Sequence, residues 1–390
     1  MTSLLFAWVG LGVVAIGFVT LTTAERRARV GVRRDRLELA PPRAQWGGGP
    51  IHPASRSLAA RALAAFARLV RSRSRVVGEA RALRCGAHLL GMGPLVLVVA
   101  LLPVLGTWAG AEGPPLVFAD LEQGLLVVAG ALLVSAFARV AVGLSERHPA
   151  ARLASARIAS RQVSSLGLLA VVLAPLALGA GSLRLQDLVL QQQQGWVPLA
   201  GLSAQLEVPW LQAWEGAWFP AWNVFVQPIT ALLFVPAIAL WVASPRADDP
   251  STGGVTLAGL GLDADPAALY WVRLEARLSR VVAAGLFVTL FLGGSSIPFL
   301  DPDRFLSVLS PFVGQGLPEF VWTGLQLGTF VVKLALTLWV AARLAEVSAD
   351  ARDDRALRFA TRRLMPLAWA NLLLVAGMTI WWGGASGGPA

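Results

Sequence analysis

Charge is scarce in this sequence: only 14% of its 390 residues are Asp, Glu, Lys or Arg. A soluble globular domain carries roughly 25%. Cysteine occurs once, at Cys85, so no internal disulfide forms. Histidine occurs three times, at His52, His88 and His148, too few and too scattered for a bis-His haem protein or a zinc enzyme. Redox cofactors held by this chain alone are therefore excluded. Lysine also occurs once, at Lys333, and the other 32 of the 33 basic residues are Arg. Catalytic motifs are missing too. The run Trp46-Gly-Gly-Gly-Pro50 lacks the Lys-Ser/Thr of a P-loop, and there is no His-Glu-x-x-His, paired Cys or nucleophile elbow.

What is present is apolar: 56% of the residues are hydrophobic, above the roughly 45–50% usual for soluble domains. That composition describes a membrane protein. Crossing the hydrocarbon core takes about 20 apolar residues in a helix. Windows of that length lie at 3–22, 87–110, 121–144, 162–182, 222–243, 276–300, 319–343 and 363–383. The expected fold is thus all-α and polytopic, one membrane domain over 1–390 with about eight transmembrane helices. The first window starts without a basic leader and runs into Glu25-Arg26-Arg27, so it reads as a retained span.

The net charge of +10 is distributed by side. Loops 23–86, 145–161, 244–280 and 343–363 hold 29 Arg and a net charge of +15, while the alternate loops hold Arg184 and Arg304 and net −7. The positive-inside rule then puts the Arg-rich loops in the cytoplasm and both termini outside. Nucleic-acid binding is excluded as the meaning of this basic balance, because the Arg flank apolar spans and no reading motif accompanies them. Residues 55–75 alternate Leu58, Leu63 and Phe66 with Arg61, Arg68 and Arg71. They form either an amphipathic helix on the cytoplasmic leaflet or a basic helix against a partner. Trp210, Trp214, Trp218 and Trp222 recur every four residues beside the fifth span and read as an interfacial belt.

Ionisable groups inside spans are costly and mark function or a partner. Lys333 lies roughly 15 Å from the inner end of its span, so it needs an acidic or polar partner or a water cavity. Arg139, about five residues from an inner end, is expected to snorkel to the interface. Glu25, Glu275, Arg277 and Arg280 sit at inner helix ends, either solvated or facing a polar chamber. Asn371 reads as an interhelical hydrogen bond.

Several strings carry a family resemblance. Val117 to Leu126 (VFADLEQGLL) is similar to V-A-D-L-N-x-G-L-L, and Leu286 to Gly294 (LFVTLFLGG) to T-L-F-L-G-G. Phe330-Val-Val-Lys333, Trp339-Val340, Asp354 to Arg358 and Leu364 to Leu372 (LMPLAWANL) follow F-L-L-K, W-V-R, Y-D-Q-L-M-R and L-L-P-L-A-x-A-N in order. Glu25-Arg26-Arg27 and Gln227-Pro228 echo E-R-K and Q-P. In this the chain resembles the H-type membrane component of bacterial NADH-quinone oxidoreductase, the subunit-1 family of respiratory complex I and related membrane-bound hydrogenases.

The resemblance implies a component of the bacterial inner (cytoplasmic) membrane that forms the membrane side of a quinone chamber. It docks iron–sulfur peripheral-arm subunits, adjoins antiporter-like membrane subunits and lipid, and couples quinone reduction to proton translocation without being a complete enzyme alone. Quinone, held at the interface with partners, is the only cofactor implied. The residues carried over to the chamber and proton path are Glu25, Arg26, Arg27, Asp120, Arg157, Arg246, Asp248, Asp249, Glu275, Lys333 and Asp354. The departures fall on acids: ASPRADDPSTGGVTLAGLGLDADPAALYW replaces a glutamate-rich segment between the fifth and sixth spans, and Leu166 or Gly167 stands where a Glu belongs. Those losses keep open a structural anchor paralogue without quinone chemistry. A secondary transporter is the remaining alternative, which calls for a repeat and for broken helices at the midplane.

Overall fold

The computed structural model describes residues 79–104, 119–145, 149–193, 220–242, 266–297, 300, 305, 317–347 and 357–385. Its helices are α1 (Glu79–Leu101), α2 (Gly124–Leu144), α3 (Pro149–Ala180), α4 (Leu185–Gln193), α5 (Asn223–Val226), α6 (Pro228–Val242), α7 (Pro266–Phe291), α8 (Leu317–Val347) and α9 (Met365–Ala385). A π-helical turn, Ala360–Leu364, leads into α9. No extended β-strand occurs among the described residues. The windows 3–22 and 55–75, and Trp210, Trp214 and Trp218, lie outside them.

Four helical segments are long and apolar enough to cross a membrane: Gly124–Leu144, Ala151–Ala180, Phe320–Leu344 and Leu357–Trp381. Cys85–Leu101 and Pro228–Val242 are apolar but shorter. The all-helical membrane architecture is therefore present, with boundaries that differ from the hydropathy windows for identifiable reasons. Pro103 follows the end of α1 and cannot continue it. Pro149 at the first position of α3 starts that helix well before residue 162, and Gly181, at φ 63°, stops it. The fifth window is divided, because Gln227 leaves helical geometry at ψ 62° and Pro228 restarts the chain as α6.

A further difference is at α7, expected to run to residue 300, which ends at Phe291. Gly293 and Gly294 take φ of 66° and 58° there, and the Gly294 amide donates back to Val288 O at 3.0 Å. This left-handed glycine terminus closes a helix within an apolar stretch that hydropathy alone reads as continuous.

A principal core joins α1, α2, α3, α6 and α7 through Leu95, Leu132, Leu168, Phe234, Trp241 and Phe291. A smaller one fastens α8 to α7 through Val288, Phe330 and Leu334. In a bilayer such contacts gain from close packing rather than from escaping water. The span windows on α2 and α3 are each 44% buried, whereas those of α8 and α9 are 22% and 17% buried. The last two helices are therefore peripheral, and Leu336, Leu373 and Ile380 face outward from them. Asn371 of α9 donates through Nδ2 to Thr230 Oγ1 of α6 at 2.9 Å, the interhelical bond expected of it.

Candidate functional site

Two buried polar centres lie at different depths, about 25 Å apart along α7 at 1.5 Å per residue from Glu275 to Leu292. The first gathers Arg139 of α2, Glu275 and Ser279 of α7, Gln162 of α3 and the last turn of α6. Arg139 Nε donates to Glu275 Oε1 at 2.9 Å, Nη1 to Trp241 O at 2.8 Å and Nη2 to Ser279 Oγ at 2.9 Å. Its guanidinium also lies 4.5 Å from the centre of the Trp241 ring. Trp241 O is among the carbonyls that the end of α6 leaves without a helical partner, a position that favours a cation. Gln162 Nε2 donates to the same oxygen at 3.0 Å. Gln162 Oε1 is buried without a partner.

The carboxylate of Glu275 also needs space against α1. A Cβ on Gly91 would lie 3.0 Å from Glu275 Oε1 and 3.1 Å from Oε2, so the glycine lets the α1 backbone close on the charge. Arg139 therefore does not snorkel. Its side chain is 12% exposed and that of Glu275 5%, and the two charges compensate one another inside the bundle.

The second centre is built on the glycine terminus of α7. Lys333 Nζ donates to Leu292 O at 2.7 Å, Gly294 O at 3.1 Å and Ser296 O at 2.6 Å. The ammonium also stands 4.3 Å from the centre of the Trp222 ring. Trp222 faces this turn as well, its Nε1 donating to Ser296 Oγ at 2.9 Å. Gln192 of α4 completes the arrangement, its Oε1 accepting from Gly293 N at 2.9 Å and Asn223 N at 3.2 Å. Among the described residues, the partner that Lys333 requires is a set of main-chain carbonyls freed by a helix end.

Of the carried-over residues, Glu275 and Lys333 occupy these two separate centres. Asp120 precedes α2 and pairs with Arg184 at 3.4 Å in a partly exposed contact. Arg157 is exposed on α3, about 35 Å along that helix from the Asp120 end. No two of these four share a hydrogen bond or ion pair. Glu25, Arg26, Arg27, Arg246, Asp248, Asp249 and Asp354 lie outside the described residues. Sequence reasoning misses Arg139 as a partner of Glu275, and misses Trp222, Gln192 and Gly91. An Arg retained within an apolar window is the available signal, although nothing local identifies an acid 136 residues away. Among the described residues, no cluster of His, Cys, Asp and Glu is arranged to hold a metal ion.

Polytopic helices, a compensated ion pair and a lysine-capped helix end define a membrane-embedded helical protein with charge in its interior. The chain belongs to the NADH dehydrogenase family, whose model matches residues 43–376; this is the family of the H-type, or first, membrane component of complex I. It is 27% identical over 287 residues to the second H-type component of the NADH-quinone oxidoreductase of Cereibacter sphaeroides, covering 73% of this chain and 75% of the relative. The corresponding second H-type component from Rhodopseudomonas palustris is 27% identical over 283 residues, 72% and 73% of the two chains. The H-type component of the NADH-quinone oxidoreductase of Bordetella avium is 26% identical over 280 residues, 72% and 70%.

Proposed function

We propose that this chain is the membrane component of a complex I type oxidoreductase that forms the membrane side of the quinone chamber. It docks iron–sulfur peripheral-arm subunits, contacts antiporter-like membrane subunits and couples quinone reduction to proton translocation. The observation that carries this reading is the buried Arg139–Glu275 pair. By the positive-inside argument the pair stands at the cytoplasmic end of the bundle, where a chamber shared with a peripheral arm has to open. A carboxylate compensated by one arginine changes its proton affinity whenever that arginine is drawn away, so charge arriving in the chamber is felt at Glu275. Glu25, Arg26, Arg27, Arg157, Arg246, Asp248, Asp249 and Asp354 belong to the same cytoplasmic side in this scheme. Asp120 and Lys333 lie further toward the outer side. Eight spans, external termini and a bacterial inner-membrane location complete the proposal.

The test is extraction of the tagged chain from its native membranes in mild detergent, with mass spectrometry of what accompanies it and an assay of quinone reduction. Iron–sulfur and antiporter-like subunits recovered with inhibitor-sensitive activity are expected, and Glu275→Gln is expected to keep the partners while losing quinone-linked turnover. A chain that purifies alone refutes the proposal.

One observation favours a second reading, an anchor without quinone chemistry. Where the family resemblance calls for a glutamate, Leu166 packs against the principal core. A Cβ on neighbouring Gly167 would meet Met365 Cε at 3.5 Å. An apolar side chain and a glycine thus occupy that point of α3, and recovery of the partners without quinone reduction supports the anchor.

A further inference from the structure

The surroundings of Lys333 have the chemistry of a cation site. Three main-chain oxygens of the turn after α7 lie 2.6–3.1 Å from Nζ. Ser296 Oγ stands at 3.5 Å, and the Trp222 face at 4.3 Å. Unwound carbonyls at the C-terminal end of a discontinuous helix are how membrane transporters coordinate monovalent ions. An aromatic face suits the same ligands. Oxygen contacts of this length match potassium and ammonium, which are alike in size, better than the smaller sodium ion.

The cage is also built independently of its occupant. Gly293 allows the turn: a Cβ there would lie 2.5 Å from Ser296 Oγ and 2.7 Å from the Trp222 ring. Gln192 Oε1 anchors the Gly293 amide at 2.9 Å, and Asn223 Nδ2 holds Leu290 O at 2.8 Å. Separate segments thus fix the turn from outside the cage, and α8 threads a single ammonium into it from roughly 24 Å along its own length.

We propose that the 292–296 turn is a monovalent-cation site of the potassium and ammonium size class, whose ion is built into the chain as the Lys333 ammonium. The tether keeps the helix break closed whatever the ionic composition of the medium, and truncating the side chain opens the cage to a free ion. Lys333→Ala removes the tether and leaves the cage, whereas Lys333→Met fills the space with an apolar chain.

The experiment follows thermal unfolding of the chain, extracted with whatever subunits accompany it, in potassium, ammonium, sodium or N-methylglucamine chloride at equal ionic strength. Potassium and ammonium are expected to raise the melting temperature of Lys333→Ala by about 2–4 °C over N-methylglucamine. The unsubstituted chain and Lys333→Met are expected to move together by less than about 1 °C. Equal responses in all three, or no ion-specific response of Lys333→Ala, overturn the proposal. So does absence of Lys333→Ala from the membranes of cells supplied with potassium and ammonium, because the free ions then fail to replace the tether. A second variant reads the same point by covalent chemistry: Lys333→Cys, made in a Cys85→Ser background, is treated in membranes with 2-bromoethylamine. The thiolate displaces bromide, and the thioether formed carries an ammonium at nearly the original position. Return of the unsubstituted melting temperature supports the tethered cation, and failure to return after complete modification refutes it.

Discussion

Separating Arg139 from Glu275 is the most informative perturbation of this fold, because the structure assigns the two charges unequal fallback partners. With Glu275→Gln, Arg139 keeps Trp241 O at 2.8 Å and Ser279 Oγ at 2.9 Å, and the amide oxygen still accepts from Nε. The loss therefore falls near the lower limit of the 3–5 kcal/mol that breaking a buried pair costs, about 3 kcal/mol. With Arg139→Gln the carboxylate loses its charged donor, and the hydroxyl of Ser279 is already committed, its Oγ donating to Glu275 O at 2.7 Å. About 5 kcal/mol is expected there. Removing both charges, as in Arg139→Gln with Glu275→Gln, leaves no uncompensated ion, so the double variant is expected to be more stable than Arg139→Gln. The assay is a double-mutant cycle on unfolding free energy in mixed micelles, each single paired with its double. A coupling energy below about 0.5 kcal/mol, the range of independent sites, refutes the reasoning, as does a larger loss for Glu275→Gln than for Arg139→Gln.

Other outcomes follow from the same geometry. Gly91→Ala puts a methyl 3.0–3.1 Å from the Glu275 carboxyl atoms; a loss of about 1–3 kcal/mol is expected, falling sharply in a Glu275→Ala background when both are measured in micelles. Gln192→Ala strips the acceptor from two buried amides, Gly293 N and Asn223 N. It is expected to cost about 1–3 kcal/mol for each amide left unsatisfied, and amide exchange at Gly293 reports it. Asp120→Asn acts on a partly exposed 3.4 Å pair; less than about 1 kcal/mol is expected, and a loss of assembly seen on co-purification contradicts that.

The membrane class, the helical fold and the family are legible in the chain because each depends on local or ordered information. Hydropathy needs only neighbouring residues, and motif strings need only their order. Lys333 stands out as a group requiring company, since its depth follows from its place in an apolar window. Arg139 misleads for the complementary reason: snorkelling is inferred from its distance to a helix end, whereas its direction is set by an acid on another helix. Trp222 falls into a four-residue repeat because periodicity sees spacing and not the turn beside which the indole lies. The end of α7 at Phe291 is hidden within a hydrophobic run, although Gly293 and Gly294 are in plain sight.

The sequence by itself thus determined that the chain is apolar, helical and a member of the complex I subunit-1 family, and that Lys333 had to be compensated. Tertiary structure alone decided how. It set a carboxylate from α7 against an arginine from α2 under a glycine of α1, and a lysine from α8 against the carbonyls at the end of α7. In a low-dielectric interior the cost of a charge is read from one residue, but its compensation depends on which helices the packing brings side by side.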